Sequence, residues 1–173
     1  LIVIDDSIVR GTTLKKSILK ILDRLSPKKI VVVSSAPQIR YPDCYGIDMA
    51  RLEDLIAFQA MLGLLKDFDK ESMLETVYQA ANEEMKKPDK EATNVVNVLY
   101  ELFSTEQISA KIAALVKEES IQCGVDVIFQ DVDKLHLACP KNLGDWYFTG
   151  DYPTPGGNRV ANQAFINFME GNK

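Results

Sequence analysis

Histidine is nearly missing from this sequence: His136 is the single one in 173 residues. A metal centre built from several imidazoles is therefore excluded within the chain. Cysteine is also scarce. Cys44, Cys123 and Cys139 are odd in number and widely spaced, with no CxxC pair, which fits reduced, buried, inert thiols rather than a disulfide framework. No apolar run approaches the ~20 residues needed to cross a bilayer, and the start shows no signal-peptide pattern, so no membrane role and a cytoplasmic location are expected. Basic blocks are absent and the net charge is −5, which disfavours a nucleic-acid partner. Neither GxxxxGK[ST] nor GxGxxG occurs, which sets aside the Walker and dinucleotide loops. Internal repeats and low-complexity tracts are missing too.

What is present suits an α/β fold. A hydrophobic fraction of 46% over 173 residues can bury one sizeable core. The first residue is Leu1, already inside an apolar run, so the chain is expected to be cut from something longer. Leu1 to Ile4 reads as a strand buried on both faces, as in a parallel sheet. Leu14, Ile18, Ile21, Leu22 and Leu25 then fall on one helix face, with Thr12 or Thr13 as the N-cap and Ser26-Pro27 as the stop. "KKIVVVSS" is a second strand, parallel to the first by a right-handed crossover. From Arg51 to about Glu119 the pattern is helical: one helix through Leu52–Leu65, a second over Met73–Met85 capped by Asp69, a third over Val95–Phe103, and a fourth capped by Thr105. "VDVIFQ" is a third strand, Asp131 and Asp133 read as caps of a short helix ending near Ala138, 140–158 reads mostly as loop, and "RVANQAFINFMEG" is a last amphipathic helix.

The opening "LIVIDDSIVRGTT" carries the chemistry. A loop from a parallel strand into a helix lies at the carboxyl edge of the sheet, where α/β proteins bind ligands. The helix N-terminus there presents unpaired N–H groups and partial positive charge, a seat for phosphate. Gly11 allows close backbone approach, and Ser7, Thr12 and Thr13 add hydroxyl donors. Asp5 and Asp6 are poor phosphate ligands, but they suit neighbouring ribose hydroxyls or Mg²⁺. The competing reading is an ordinary strand-to-helix loop whose aspartates cap the helix. The combined pattern points to a phosphoribosyl ligand.

At these residues the sequence resembles a known family. "VIDDSIVRGTT" is similar to the phosphoribosyl-pyrophosphate (PRPP) motif of type I phosphoribosyltransferases. With "SSAPQIRYPDCYGIDM" and "VIFQDVDKL" following in order, the chain resembles the glutamine PRPP amidotransferases, over roughly residues 1–59 and 105–152. The resemblance implies a partial parallel-sheet phosphoribosyltransferase fold, truncated on its N-terminal side. It implies that PRPP is held by Asp5, Asp6, Ser7, Val9, Arg10, Gly11, Thr12 and Thr13, and that Mg²⁺ is held by Asp5 and Asp6. Arg40, Tyr45 and Asp48 match a loop at the active-site mouth, the competing reading being loop-stabilising contacts. No catalytic residue is assigned.

The implied activity is transfer of glutamine-derived ammonia to C1 of PRPP with loss of pyrophosphate, the first committed step of purine biosynthesis. Purine nucleotides are the implied inhibitors and a homo-oligomer the implied state of the parent enzyme, whose glutaminase domain is not in this chain. The alternative is a PRPP-sensing regulator of the same fold without catalysis.

The chain also departs from the family's pattern. The segments that grip pyrophosphate and close over the site are not here, so the chain alone is expected to bind PRPP weakly and not to turn over. Some relatives carry an iron–sulfur cluster; here Asp43 takes the usual ligand position, Cys44 is displaced by one, and no iron–sulfur cluster is expected. The expected organisation is a PRPP-binding part over 1–59, a helical insertion over 60–104, a return to the α/β core over 105–139 and a C-terminal loop and helix over 140–173. His136 reads as a surface or helix-face residue, and Trp146, Tyr147, Phe148 and Tyr152 as anchors that dock the tail. An exposed sheet edge beside Leu1 is expected to make the chain self-associate.

Overall fold

The computed structural model describes residues 1–45, 49–141 and 144–172. It is a mixed α/β structure built on a parallel sheet in the order β1-β2-β3, made of β1 (Ile2–Asp5), β2 (Lys29–Ser34) and β3 (Gly124–Phe129). Val3 lies opposite Val32, and Val32 opposite Val127. Strands this close in sequence can run parallel only through a crossover. The first crossover is α1, which winds as a π-helix over Leu14–Ile18 and continues as an α-helix over Leu19–Asp23. Ser26, with φ of 50°, turns the chain back ahead of Pro27.

The second crossover is long and helical. A 3₁₀ turn at Leu52–Asp54 leads into α2 (Ile56–Asp67), followed by α3 (Ser72–Glu84), a 3₁₀ turn at Asp89–Glu91, α4 (Asn97–Glu101) and α5 (Thr105–Val116). After β3 come α6 (Val132–Ala138), α7 (Trp146–Thr149) and α8 (Pro155–Glu170). Helix α5 packs on β3 and on α2, whereas α3 packs on α8 and α4. The core thus joins one face of the sheet (Ile30, Val32, Val127) to the helices through Leu19, Phe58, Leu65, Ile108 and Ile112.

Several sequence expectations change in the structure. The strand at Leu1–Ile4 is not buried on both faces: Ile2 and Ile4 are 73% and 75% exposed. It is an edge strand, and its alternate residues point away from the helices. Thr12 and Thr13 do not cap α1. Thr13 is already helical and makes no side-chain cap bond, and the first helical bond runs from the Lys15 N–H to the carbonyl of Gly11 (2.9 Å). Helix α5 is capped by Ser104, one residue before the expected Thr105, through a reciprocal box with Gln107. Asp69 takes a φ of 53° in the turn before α3 and does not cap it. Asp131 does cap α6, accepting from the Lys134 N–H (3.1 Å), while Asp133 lies within its first turn. The stretch expected as loop contains α7, and α8 starts earlier than its apolar period suggested, with Pro155 in its first turn. Of the three thiols Cys123 is buried, Cys44 half-buried and Cys139 exposed, so inert burial describes one of them.

Candidate functional site

The strand-to-helix loop after β1 lines a cavity of about 530 Å³, bordered by Asp5, Ser7, Val9, Arg10, Gly11, Thr12 and Thr13. Its shape follows from packing. Ile8 and Leu14 are buried on either side of the loop, so the polar residues between them are held at the surface of the core. Gly11 has a φ of +66°, a backbone state that costs L side chains energy but suits glycine. The N–H groups of the first helical turn have no partner within α1, and they follow directly on Gly11.

The two aspartates separate. Asp5 borders the cavity, whereas Asp6, outside that lining, is exposed. Asp5 is the last residue of β1, whereas Asp6 already lies in the bend that follows it. Each carboxylate is oriented by the following backbone: the Asp6 N–H donates to Asp5 Oδ1 (3.1 Å) and the Ser7 N–H to Asp6 Oδ1 (2.9 Å). Partial burial, and then the Asp6 carboxylate beside it, push the Asp5 carboxyl above its ordinary value. A cation would relieve that repulsion. Among the described residues no group of three or more His, Cys, Asp or Glu side chains gathers to hold a metal ion. Of the pair, Asp5 alone borders the cavity, so an oxygen-seeking ion there would draw most of its ligands from water and from a bound phosphate.

The loop expected at the active-site mouth is fastened from outside. The Tyr100 hydroxyl donates to the Arg40 carbonyl (2.9 Å), and the Tyr152 hydroxyl to that of Pro42 (2.8 Å). The Tyr147 hydroxyl donates to Asp43 Oδ1 (3.1 Å), and the Tyr147 carbonyl accepts from the N–H groups of Arg40 (2.7 Å) and Tyr41 (3.2 Å). Burial pushes the Tyr100 and Tyr152 phenols upward, so these tethers stay protonated at neutral pH.

The Arg40 side chain is absent from the lining of the Asp5–Thr13 cavity. Its guanidinium donates to Gln38 Oε1 and Thr105 Oγ1, lies over the Tyr100 ring, and borders a separate cleft with Phe148 and Val132. Tyr45 is exposed, with its ring edge-on to Trp146. Asp48 lies outside the described residues. His136 lies on α6, half-buried as a helix-face residue, and its Nε2 is 2.7 Å from Asp145 Oδ2. The aromatic residues read as tail anchors do include tethers, Tyr147 and Tyr152.

Two residues with no signal in the sequence shape the cavity loop. The Ile56 N–H donates to the Val9 carbonyl (2.8 Å). A Cβ on Gly11 would meet Ile56 Cδ1 at 2.5 Å and Val116 Cγ1 at 3.1 Å. Both residues look like ordinary helix-core positions in sequence, because their contacts with the loop are long-range.

No protein-family model and no solved structure matches the chain. Among curated proteins it is similar to the amidophosphoribosyltransferase of Haemophilus influenzae, 49% identical over 57 residues, which cover 33% of this chain and 11% of that protein. The amidophosphoribosyltransferase of Escherichia coli is 46% identical over 56 residues, covering 32% and 11%, and that of Saccharomyces cerevisiae 44% identical over 57 residues, covering 33% and 11%. The match spans about a tenth of the length of these relatives. Over that third of its own length, the chain is related to the amidophosphoribosyltransferases.

Proposed function

We propose that the chain carries the PRPP-binding side of an amidophosphoribosyltransferase active site. In that reaction the nitrogen of glutamine-derived ammonia forms a bond to C1 of the ribose, the C1–O bond to pyrophosphate breaks, and 5-phosphoribosylamine is left after loss of a proton. The observation that carries this reading is the cavity of about 530 Å³, lined by Asp5, Ser7 and the whole run from Val9 to Thr13. Backbone N–H groups after Gly11, with the hydroxyls of Ser7, Thr12 and Thr13, seat the 5′-phosphate. Asp5 accepts from the ribose hydroxyls and orients the sugar for attack at C1. Asp5 at the cavity, and Asp6 from the bend beside it, would hold Mg²⁺ together with phosphate oxygens, and the ion would supply neutralisation of the charge that develops on pyrophosphate.

On its own the chain binds PRPP weakly and does not turn over. The cavity lining brings one basic side chain, Arg10, to a ligand with phosphate at both ends. The wider reading places the enzyme in purine biosynthesis, in the cytoplasm, as a homo-oligomer inhibited by purine nucleotides. Among the described residues no helix is long and apolar enough to cross a membrane. Residues 60–104 are then a helical insertion in the transferase domain.

The test is pyrophosphate release from PRPP, Mg²⁺ and ammonia by a full-length enzyme carrying this segment, repeated with glutamine. Release that fails in Asp5→Asn and in Asp6→Asn supports the reading. Tight PRPP binding without release would turn it into that of a PRPP sensor.

A further inference from the structure

The cavity loop and helix α2 complete each other's hydrogen bonding. Helix α2 begins at Ile56 without any side-chain cap. The first N–H groups of a helix have no partner within it, and the one on Ile56 is taken by the carbonyl of Val9 (2.8 Å). In return, the buried Ile56 side chain reaches the bare Cα of Gly11, where a Cβ would come within 2.5 Å of its Cδ1. Val116, the last residue of α5, closes the other side, 3.1 Å from the same point. Gly11 is where the chain takes its left-handed turn and where α1 starts, through the Lys15 N–H to the Gly11 carbonyl (2.9 Å).

We propose that Ile56 is the positioning residue of the anion-binding loop: its N–H holds the Val9 carbonyl, and its side chain sets the place of Gly11 and so of the donors that follow. This rests on the PRPP reading of the cavity. Ile56 touches no ligand and acts through Val9 and Gly11. Substituting it displaces the loop's donors by a fraction of an ångström, the scale on which affinity for a rigid, doubly charged anion is lost. A residue serving only to fill the core would lower stability without selecting the loop.

The experiment uses the whole chain and compares Ile56→Ala, Ile56→Val and Leu65→Ala. Leu65 is fully buried on the same helix, about 13 Å further along at 1.5 Å per residue. NMR-monitored titration with PRPP and Mg²⁺, at a temperature where all variants are folded, gives the affinity. Amide hydrogen exchange at Lys15, whose N–H bonds Gly11, gives the state of the loop without ligand. Ile56→Ala is expected to weaken PRPP about tenfold and to speed Lys15 exchange, while Ile56→Val, which loses Cδ1 but keeps a Cγ1 at the 3.6 Å position, falls between it and wild type and Leu65→Ala changes neither. Equal weakening by Leu65→Ala overturns the proposal, as does an Ile56→Ala variant with unchanged affinity and exchange. A wild-type chain that shows no PRPP binding at all refutes the functional reading instead, and the Lys15 exchange comparison then decides alone whether Ile56 sets the loop.

Discussion

Both faces of the three-stranded sheet carry isoleucine and valine, the open one beside a Lys29–Asp126 ion pair, and these aliphatic side chains have opposite fates. On one face Ile30 and Val32 are fully buried and Val127 nearly so, covered by α1 and α5. On the other, Ile2, Ile4 and Ile128 stand 73%, 75% and 51% exposed, with Val31 and Val33 half-buried between them. The registers place Ile4, Val33 and Ile128 side by side, so the exposed residues form a continuous apolar strip rather than scattered positions. Purely parallel sheets are normally covered on both sides. The lesson is that hydrophobicity in a strand reports what the fold can bury, whereas the helices available decide which face is buried.

The largest contrast comes from placing a carboxylate on each face. Val32→Asp puts an unpaired charge at a fully buried site, at a cost of at least several kcal/mol, comparable with the ~5–15 kcal/mol that holds a typical domain together. Circular dichroism should show an unfolded or molten chain. Ile2→Asp leaves its charge in water and should cost under ~1 kcal/mol. Unfolding by both would mean that the exposed face is packed in solution.

Truncation gives the next contrast. Ile30→Ala removes a fully buried side chain and should cost about 2–5 kcal/mol in urea unfolding, while Ile4→Ala should stay within about 0.5 kcal/mol. Comparable losses would again place a partner on the open face.

How far the sequence reveals these things depends on the range of the interactions involved. The loop from Asp5 to Thr13 was legible as a strand-to-helix turn because its signals are local: a strand end, a glycine and a helix start lie within nine consecutive residues. The Asp131 cap was legible for the same reason. Which residue caps α5 was missed by one position, because Ser104 and Thr105 are adjacent hydroxyls and only the geometry of the Gln107 box separates them. Burial of β1 was misread because a four-residue apolar run looks the same whether covered on one side or two. Tyr147 and Tyr152 were legible as anchors of the tail, but their partners, like the role of Ile56, were out of reach. Ile56 meets the loop across 47 residues of chain, from Val9 to Ile56, and the Tyr152 hydroxyl reaches Pro42 across 110. No local pattern encodes such a pairing.

Association should follow the open face. An apolar strip flanked by the outer edges of β1 and β3, which pair with no further strand among the described residues, favours contact between copies. Sedimentation velocity is expected to show concentration-dependent dimers or larger species for the wild-type chain. The variant Ile2→Thr/Ile4→Thr/Ile128→Thr, which keeps β-branched side chains on the strands, should sediment as a monomer over the same range. A wild-type chain that stays monomeric at high concentration would show that the strip is too small to drive association.

The smallest expected effect divides the aspartate pair along the same line. Asp5 sits at the end of β1 beside the cavity, and its carboxyl is pushed upward by partial burial and by Asp6. The folded state therefore disfavours its charge. At neutral pH, Asp5→Asn removes that penalty and should melt at or slightly above the wild-type temperature. The sign fixes the pH dependence. The penalty is fully present above the raised folded-state value and is gone below the unfolded-state value, where the carboxyl is protonated in both states. The gap between variant and wild type should thus close as pH falls through the carboxylate range. Asp6→Asn removes the exposed member of the pair and relieves Asp5 only through their mutual repulsion, so its gain should be smaller than that of Asp5→Asn. If Asp5→Asn instead melts lower at every pH, the carboxylate is a structural anchor for the loop. If it melts at or above wild type while PRPP binding falls, the charge is kept at a cost to the fold for the sake of the ligand.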